Sequence, residues 1–349
     1  MTIDSTIATY KKKAQALLWR RIIVITTAVF VLAVSAIIAL VYGSVSLPWS
    51  DFWSLLSHSP SLPEASRIII CDLRWPRILL AMFAGASLAL SGCGFQAILR
   101  NSLADPYIVG TSSGASLGAT LAIVLHIPNL CSYLPSVPLM AFVGAVLAML
   151  AVYRLAKVDN VLPVGTFLLA GVIVGSFTGA MVSLLMSLAG QDLQRVVIWM
   201  MGTLDQADNT SLLAVAPYLL LGAVALYFYA VPLNMLCMGE EHAKSLGVNV
   251  ETLKIVVVAA CSLMTAASVA VAGMIGFLGL VIPHVTRLLI GPDHRLLLPA
   301  AAINGASFLV IADTIARTVV APQELPVGVL TALVGAPFFF FILKKKGCR

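Results

Sequence analysis

Charge is what this chain lacks. Of its 349 residues only 10% are Asp, Glu, Lys or Arg, and 60% are hydrophobic; a soluble domain carries roughly a quarter charged residues. Such a composition cannot cover a water-facing surface. It excludes a soluble enzyme, a nucleic-acid-binding domain and a disordered protein. Motifs are missing too. There is no GxxxxGK[ST], and no lysine follows a glycine, so the chain has no phosphate-cradling loop of its own. There is no HExxH. Six cysteines are scattered without CxxC or Cys/His spacing, which argues against a metal site. No catalytic residue, metal or resident cofactor is assigned. The apolar run after Arg21 is too long for a signal-peptide core and has no small-residue cleavage site after it.

What the chain does have is long uncharged runs. About 20 apolar residues cross a bilayer, and ten runs qualify: Ile22–Tyr42, Ile78–Leu99, Tyr107–Ile127, Val137–Tyr153, Val161–Leu188, Leu212–Met238, Ile255–Val271, Met274–Thr286, Leu296–Ala312 and Pro326–Leu343. They are apolar all round, without the alternation of barrel strands, so they predict helices. The fold class is an all-α membrane protein. Residues 1–21 form a cytoplasmic N-terminal segment, 22–343 one ten-helix domain and 344–349 a basic cytoplasmic tail. With both termini inside, sixteen of the 21 basic residues fall in cytoplasmic segments, as the positive-inside rule requires. AGASLALSGCGF (Ala84–Phe95) is similar to TAASVAVAGMIGF (Thr265–Phe277), and SGAS (Ser113–Ser116) to NGAS (Asn304–Ser307). These matches hint at two inverted halves of five helices, a common transporter plan.

Few residues in these runs can do chemistry. Proton- or ion-coupled carriers keep a carboxylate or a broken polar helix near mid-membrane. Here the carboxylates lie at predicted helix ends or in loops, with Asp313 nearest to an exception. The energy source is therefore expected on a partner; an ion-coupled secondary transporter is the alternative. Gly110, Gly114 and Gly118 recur every fourth residue and predict a close helix-packing face. GEEHAKSLG (Gly239–Gly247) predicts a short helix that Gly247 stops: a docking element or an ordinary loop helix. Pro283 interrupts a run before His284 and Arg287, and both His284 and His294 are read as structural. Arg74, Arg77 and Arg317 fall outside, against the rule. They read as interface anchors with an Asp313–Arg317 i,i+4 pair, or as a basic patch for an acidic partner. An outer-loop disulfide between Cys71 and Cys131 is left open.

The longest motifs are RWPRILLAMFAGASLALSG (Arg74–Gly92), RNSLADPYIVGTSSGASLGA (Arg100–Ala119), GEEHAKSLGV (Gly239–Val248), GFLGLVIPHVTRLLIGPDHRLLLP (Gly276–Pro299) and ADTIARTVVAPQELPVGVLTALVGAPFFF (Ala312–Phe340). In these, and in their order, the chain resembles the FecCD-type permeases of type II ABC importers, which serve iron–siderophore, haem and cobalamin uptake. The resemblance implies a permease subunit of the inner membrane, dimeric with a second copy or a paralogue. Its pathway would be lined by the fifth and tenth helices. Two ATPase subunits, carrying the ATP and Mg²⁺, would dock on segment 239–250 through Glu240, Glu241, Ala243, Leu246 and Gly247. An extracytoplasmic substrate-binding protein would meet Arg74, Arg77 and Arg317. Asn101 and Leu103, with Val164 and Gly165, would form a cytoplasmic gate. Ser102 replaces the family's usual proline there, which predicts a looser gate loop. The cargo would be a metal chelate, with iron(III)–siderophore the commonest use.

Overall fold

The computed structural model describes residues 3–57, 63–129 and 135–347. Hydrocarbon offers no hydrogen-bond partners, so each backbone group must be satisfied within its own segment. The chain answers with helices. Among the described residues the sole β feature is an isolated bridge between Val158 and Val161. Among the described residues seven helices are long and apolar enough to cross a membrane, and three shorter apolar ones fall on the remaining predicted runs.

Helix α1 (Ile3–Val41) is followed by the short α2 (Trp49–Leu56). Then α3 (Glu64–Ile68), a π-helical stretch (Ile69–Arg74) and α4 (Trp75–Ile98) form one rod. A 3₁₀ turn (Pro106–Val109) leads to α5 (Thr111–Val124), α6 (Ser136–Ala156) and α7 (Val164–Leu188). The short α8 (Leu193–Met200) precedes α9 (Asn209–Phe228), α10 (Ala230–Cys237) and α11 (Glu240–Ser245). The chain ends with α12 (Val250–Ala272), α13 (Leu278–Ile290), α14 (His294–Thr318) and α15 (Val327–Gly347). Helices α4 and α12 are buried along most of their length, whereas α1, α7 and α9 turn most of their surface outward.

Glycine sets the closest helix crossings. A Cβ on Gly85 of α4 would collide with the Gly305 carbonyl of α14, and the reverse holds for Gly305. Gly114 of α5 and Gly144 of α6 meet in the same way. Small residues let backbones approach this closely where no hydrophobic force drives helices together. Gly85→Val should therefore destabilise the chain by about 1–3 kcal/mol, the usual cost of overpacking. A thermal-unfolding midpoint in detergent equal to wild type would disprove that contact.

The structure corrects several sequence expectations. The first helix starts at Ile3, so the segment before Arg21 is its continuation. The sixth run is two helices that part at Tyr229. Pro232 has no N–H to donate to Phe228 C=O, and the ladder restarts with Leu233 N–H on Tyr229 C=O at 2.8 Å. The fifth starts at Val164; Val158–Val161 closes a tight turn with Asp159 and Asn160 at positive φ, the geometry of a type I′ hairpin. The eighth begins at Leu278, because Gly273 and Phe277 take positive φ and break the chain there; the helix then runs through Pro283. Helix α8 lies outside all ten runs: its polar Gln194 and Arg195 masked it. Of the two similar segments, Ala84–Phe95 lies inside α4, while Thr265–Phe277 runs past the end of α12 at Ala272. Helices rich in Gly, Ala and Ser resemble one another by composition.

Candidate functional site

Two polar clusters stand out, one where α11 meets the start of α12 and one where the start of α4 meets the end of α14. The first is built around α11. Gly239 (φ +128°) and Gly247 (φ +84°) bound this helix, and nothing lies within 4 Å of a Cβ added at either. Glycine is needed there for its backbone freedom, not for space. Gly247 N–H donates to Lys244 C=O at 2.9 Å and Val248 N–H to Ala243 C=O at 3.0 Å, which ends the helix as expected. Ala243 is fully buried beneath it, and Leu246 is exposed.

The two glutamates part company. Glu241 points outward, its side chain 90% exposed, and pairs with Lys244 at 3.1 Å. Glu240 points inward to Lys254 of α12 at 3.0 Å. Lys254 is 1% exposed. Its ammonium also donates to Glu251 at 3.2 Å and to Leu162 C=O at 3.2 Å, while Leu162 N–H donates to Glu251 at 2.8 Å. One buried cation thus ties α11, α12 and the turn that opens α7. Val164 and Gly165, two and three residues beyond Leu162, start that helix behind Pro163.

The other predicted gate residues lie in the turn after α4. Asn101 Oδ1 accepts from Leu103 N–H at 3.0 Å, and Asn101 C=O accepts from Ala104 N–H at 3.1 Å. This side-chain turn does locally what a proline at position 102 would do through a fixed φ. Asp105 follows and caps the 3₁₀ turn, accepting Tyr107 N–H at 2.8 Å. Burial pushes its carboxyl up to about 6, against the pull of that N–H. The Tyr107 hydroxyl donates to Ile275 C=O at 2.9 Å. The turn lies against α7, where a Cβ on Gly171 would collide with Ile108 C=O.

Gly110 does not share the packing face of Gly114 and Gly118. It takes a left-handed conformation (φ +78°) between the 3₁₀ turn and α5. The run Gly110–Gly118 also fits G-x-S-x-G twice, a pattern of serine nucleophiles. Ser112 and Ser116 sit on α5, not on a strand-to-helix elbow, and Ser116 Oγ donates to Ser112 C=O at 2.9 Å. Among the described residues no His/Cys/Asp/Glu group could hold a metal. Cys71 is a free thiol, and Cys131 lies outside the described residues.

The second cluster holds the three arginines expected to face outward. All three are largely buried: Arg74 is 4% and Arg317 3% exposed, and the Arg77 side chain 11%. Trp75 N–H bonds to Ile70 C=O, and Pro76 has no N–H for Asp72, so the helix widens into its π stretch. That extra residue turns Arg74 inward, where it donates to Leu40 C=O at 2.6 Å, Val41 C=O at 2.7 Å and Val45 C=O. Asp313, 1% exposed, takes Arg77 at 2.8 Å and Arg317 at 3.0 Å, the latter being the expected i,i+4 pair. Arg77 continues to Glu324 at 2.7 Å. A cavity of about 540 Å³ opens over this network. In the sequence Lys254 is one of the sixteen basic residues of the cytoplasmic segments. Its i,i+3 spacing from Glu251 was the available signal, whereas Glu324 has none.

A model of the FecCD transport family matches residues 31–345. The chain is 43% identical over 309 residues to the cobalamin import system permease protein BtuC of Halobacterium salinarum, covering 88% of this chain and 82% of the relative. It is 39% identical over 308 residues to the hemin transport system permease protein HmuU of Yersinia pestis, covering 87% and 90%. A solved structure described as an inward-facing conformation of a metal-chelate type ABC transporter superposes with a TM-score of 0.81. It has 31% identity and covers 92% of this chain and 98% of that one. The chain belongs to the FecCD transport family of ABC transporter permeases.

Proposed function

We propose that this chain is the ten-span permease of an importer that moves a metal chelate inward across the cytoplasmic membrane, with iron(III)–siderophore as the leading cargo and haem or cobalamin as the others. Support for the substrate class comes from the relatives named for cobalamin and hemin and from the metal-chelate transporter of like fold. A separate ATPase pair docks on α11, and a binding protein delivers the cargo at the opposite end. Two copies, or this chain and a paralogue, enclose the pathway between their α7 and α15 helices. Along α7 the exposed residues Ser176, Ser183 and Ser187 interrupt an apolar surface, a lining that passes cargo without gripping it.

The observation that carries the mechanism is the Lys254 link. Motion of α11 on its ATPase is passed through Glu240, Lys254 and Leu162 to the start of α7, where Val164 and Gly165 gate the pathway with Asn101 and Leu103. Access then alternates as helices rock. At the other end, Arg74 and Arg317 are spent inside the bundle. Their role in docking is to hold that surface together, with Arg77 and Glu324 nearest the binding protein. Against an ion-coupled carrier, Asp313 is locked between two arginines and is not free to take up and release an ion.

The test is uptake into proteoliposomes holding the permease, its ATPase and its binding protein, with iron(III)–siderophore, hemin and cobalamin offered in turn. Uptake of one of them should require ATP and survive an ionophore. Uptake that persists without ATP and collapses with the ion gradient would overturn the proposal. The two glutamates give a second check. Glu241→Lys should weaken co-purification of the ATPase and leave thermal stability unchanged, because among the described residues the side chain of Glu241 pairs with exposed Lys244 alone. Glu240→Lys should lower stability as well, since it sets a second cation against Lys254. Equal stability losses from both would contradict their assigned orientations.

A further inference from the structure

At the end of α4 and α13, bordered by Ser102 of the turn between α4 and α5, lies a cavity of about 590 Å³. Arg21, Arg100, Arg287, Asn234, Asp293 and His294 line it. Among the described residues none of the three arginines has an ion-pair partner; Arg287 donates only to the neutral Gln96 Oε1, at 2.9 Å. The carboxylate in the wall is already used. Asp293 takes Arg295 Nη2 at 2.8 Å, Arg295 N–H at 3.1 Å and Asn234 Nδ2 at 2.9 Å. The cavity therefore has an uncompensated positive charge.

Two buried polar atoms there have no hydrogen-bond partner among the described residues: Arg21 Nε and His294 Nε2. His294 is 2% exposed. Asn234 gives its Nδ2 to Asp293, so its Oδ1 faces the histidine. That oxygen accepts from His294 N–H at 2.9 Å and from ring Nδ1 at 2.7 Å. The ring proton is thereby assigned to Nδ1, and Nε2 is left as a buried acceptor. A buried donor and a buried acceptor each cost free energy when unmet. Three cations and one acceptor together match an anion that also bears a hydroxyl.

The surroundings indicate where such an anion comes from. Arg21 sits where α1 enters its lipid-facing length: Trp19, Ile22 and Ile23 beside it are exposed apolar residues, as are Leu288 and Leu289 on α13. Arg20 ties the two helices by donating to Leu288 C=O at 3.2 Å. Arg21 reaches into the cavity rim, its Nη2 4.0 Å from a Cβ placed on Gly291. Polar cavity and apolar flank are continuous, like a headgroup and its acyl chains. Basic pockets between membrane helices on the cytoplasmic side recognise anionic headgroups in this way.

We propose that this cavity is a binding site for an anionic glycerophospholipid. Its phosphate sits among Arg21, Arg100 and Arg287, and a headgroup hydroxyl donates to His294 Nε2. The proposal concerns lipid binding alone, so its test does not depend on transport.

The full-length chain, purified in mild detergent and stripped of lipid, is titrated with defined lipids and followed by native mass spectrometry. Phosphatidylglycerol should be retained at about tenfold lower concentration than phosphatidylcholine, equivalent to roughly 1.4 kcal/mol. Phosphatidylmethanol, of the same charge without the hydroxyl, should bind more weakly than phosphatidylglycerol. Inorganic phosphate should not displace the lipid. Arg21→Ala and Arg100→Ala should each reduce the preference, and Lys157→Ala, on the same side but outside the cavity, should leave it intact. No preference over phosphatidylcholine, or an equal loss with Lys157→Ala, would overturn the site. Displacement by inorganic phosphate would overturn the lipid as its occupant, and equal binding of phosphatidylmethanol would overturn the hydroxyl contact at His294.

Discussion

Lys254→Met is expected to yield a permease that folds and still binds its ATPase but imports little. The substitution keeps the length of the side chain and removes the ammonium that joins α11 to Leu162. Glu240 and Glu251 are each about a quarter exposed, so water can take the place of the lost cation and the fold should survive. What is lost is the connection. Hydrogen bonds to charged groups contribute about 1.5–3 kcal/mol each, and their loss leaves α11 free to move without carrying the start of α7. ATP-driven uptake should fall about tenfold or more, the effect of roughly 1.4 kcal/mol, while co-purification of the ATPase stays near wild type. Glu240→Gln combined with Lys254→Met should cost little beyond Lys254→Met alone, because residues in one network are not additive. Uptake unchanged in Lys254→Met would mean that coupling runs by another route.

At the opposite end the largest effect is on stability. Asp313→Ala removes the carboxylate shared by Arg77 and Arg317. It leaves Arg317 buried and unpaired, with Arg77 holding only Glu324. Breaking a buried pair in this way costs about 3–5 kcal/mol, whereas replacing the whole cluster by apolar residues of like volume is often neutral. Asp313→Ala should therefore lower the unfolding midpoint in detergent sharply and reduce the yield of folded protein. Asp313→Leu with Arg77→Met and Arg317→Met should recover most of the loss. A midpoint unmoved by Asp313→Ala would show that the arginines are solvated in the assembled protein and free to meet a partner.

The apolar runs, the α11 helix with its Gly247 stop and the Asp313–Arg317 pair were legible in the sequence, because each depends on residues close in the chain. The burial of Arg74 was not. It depends on a π-helical turn set by Pro76 and on the free carbonyls of α1, more than thirty residues away. For the same reason Glu240 and Glu241 look equivalent as neighbours. Only the position of Lys254, brought up by α12, separates an anchor from an exposed face. Composition also misled: Gly110 shares the spacing of Gly114 and Gly118 but serves as a swivel between two helices, a role visible only in its positive φ.

The glycines also divide the molecule mechanically. Where α4 crosses α14 and α5 crosses α6, backbone presses on backbone, and neither helix can slide or roll without a clash. Those pairs will travel as rigid pieces. Gly165 and Gly179 of α7 have nothing within 4 Å of a Cβ added there. At those two positions the missing side chain leaves clearance, whereas Gly171 between them is pressed against Ile108 C=O. One residue type thus locks two helix crossings and leaves room elsewhere, on the helix proposed to gate the pathway.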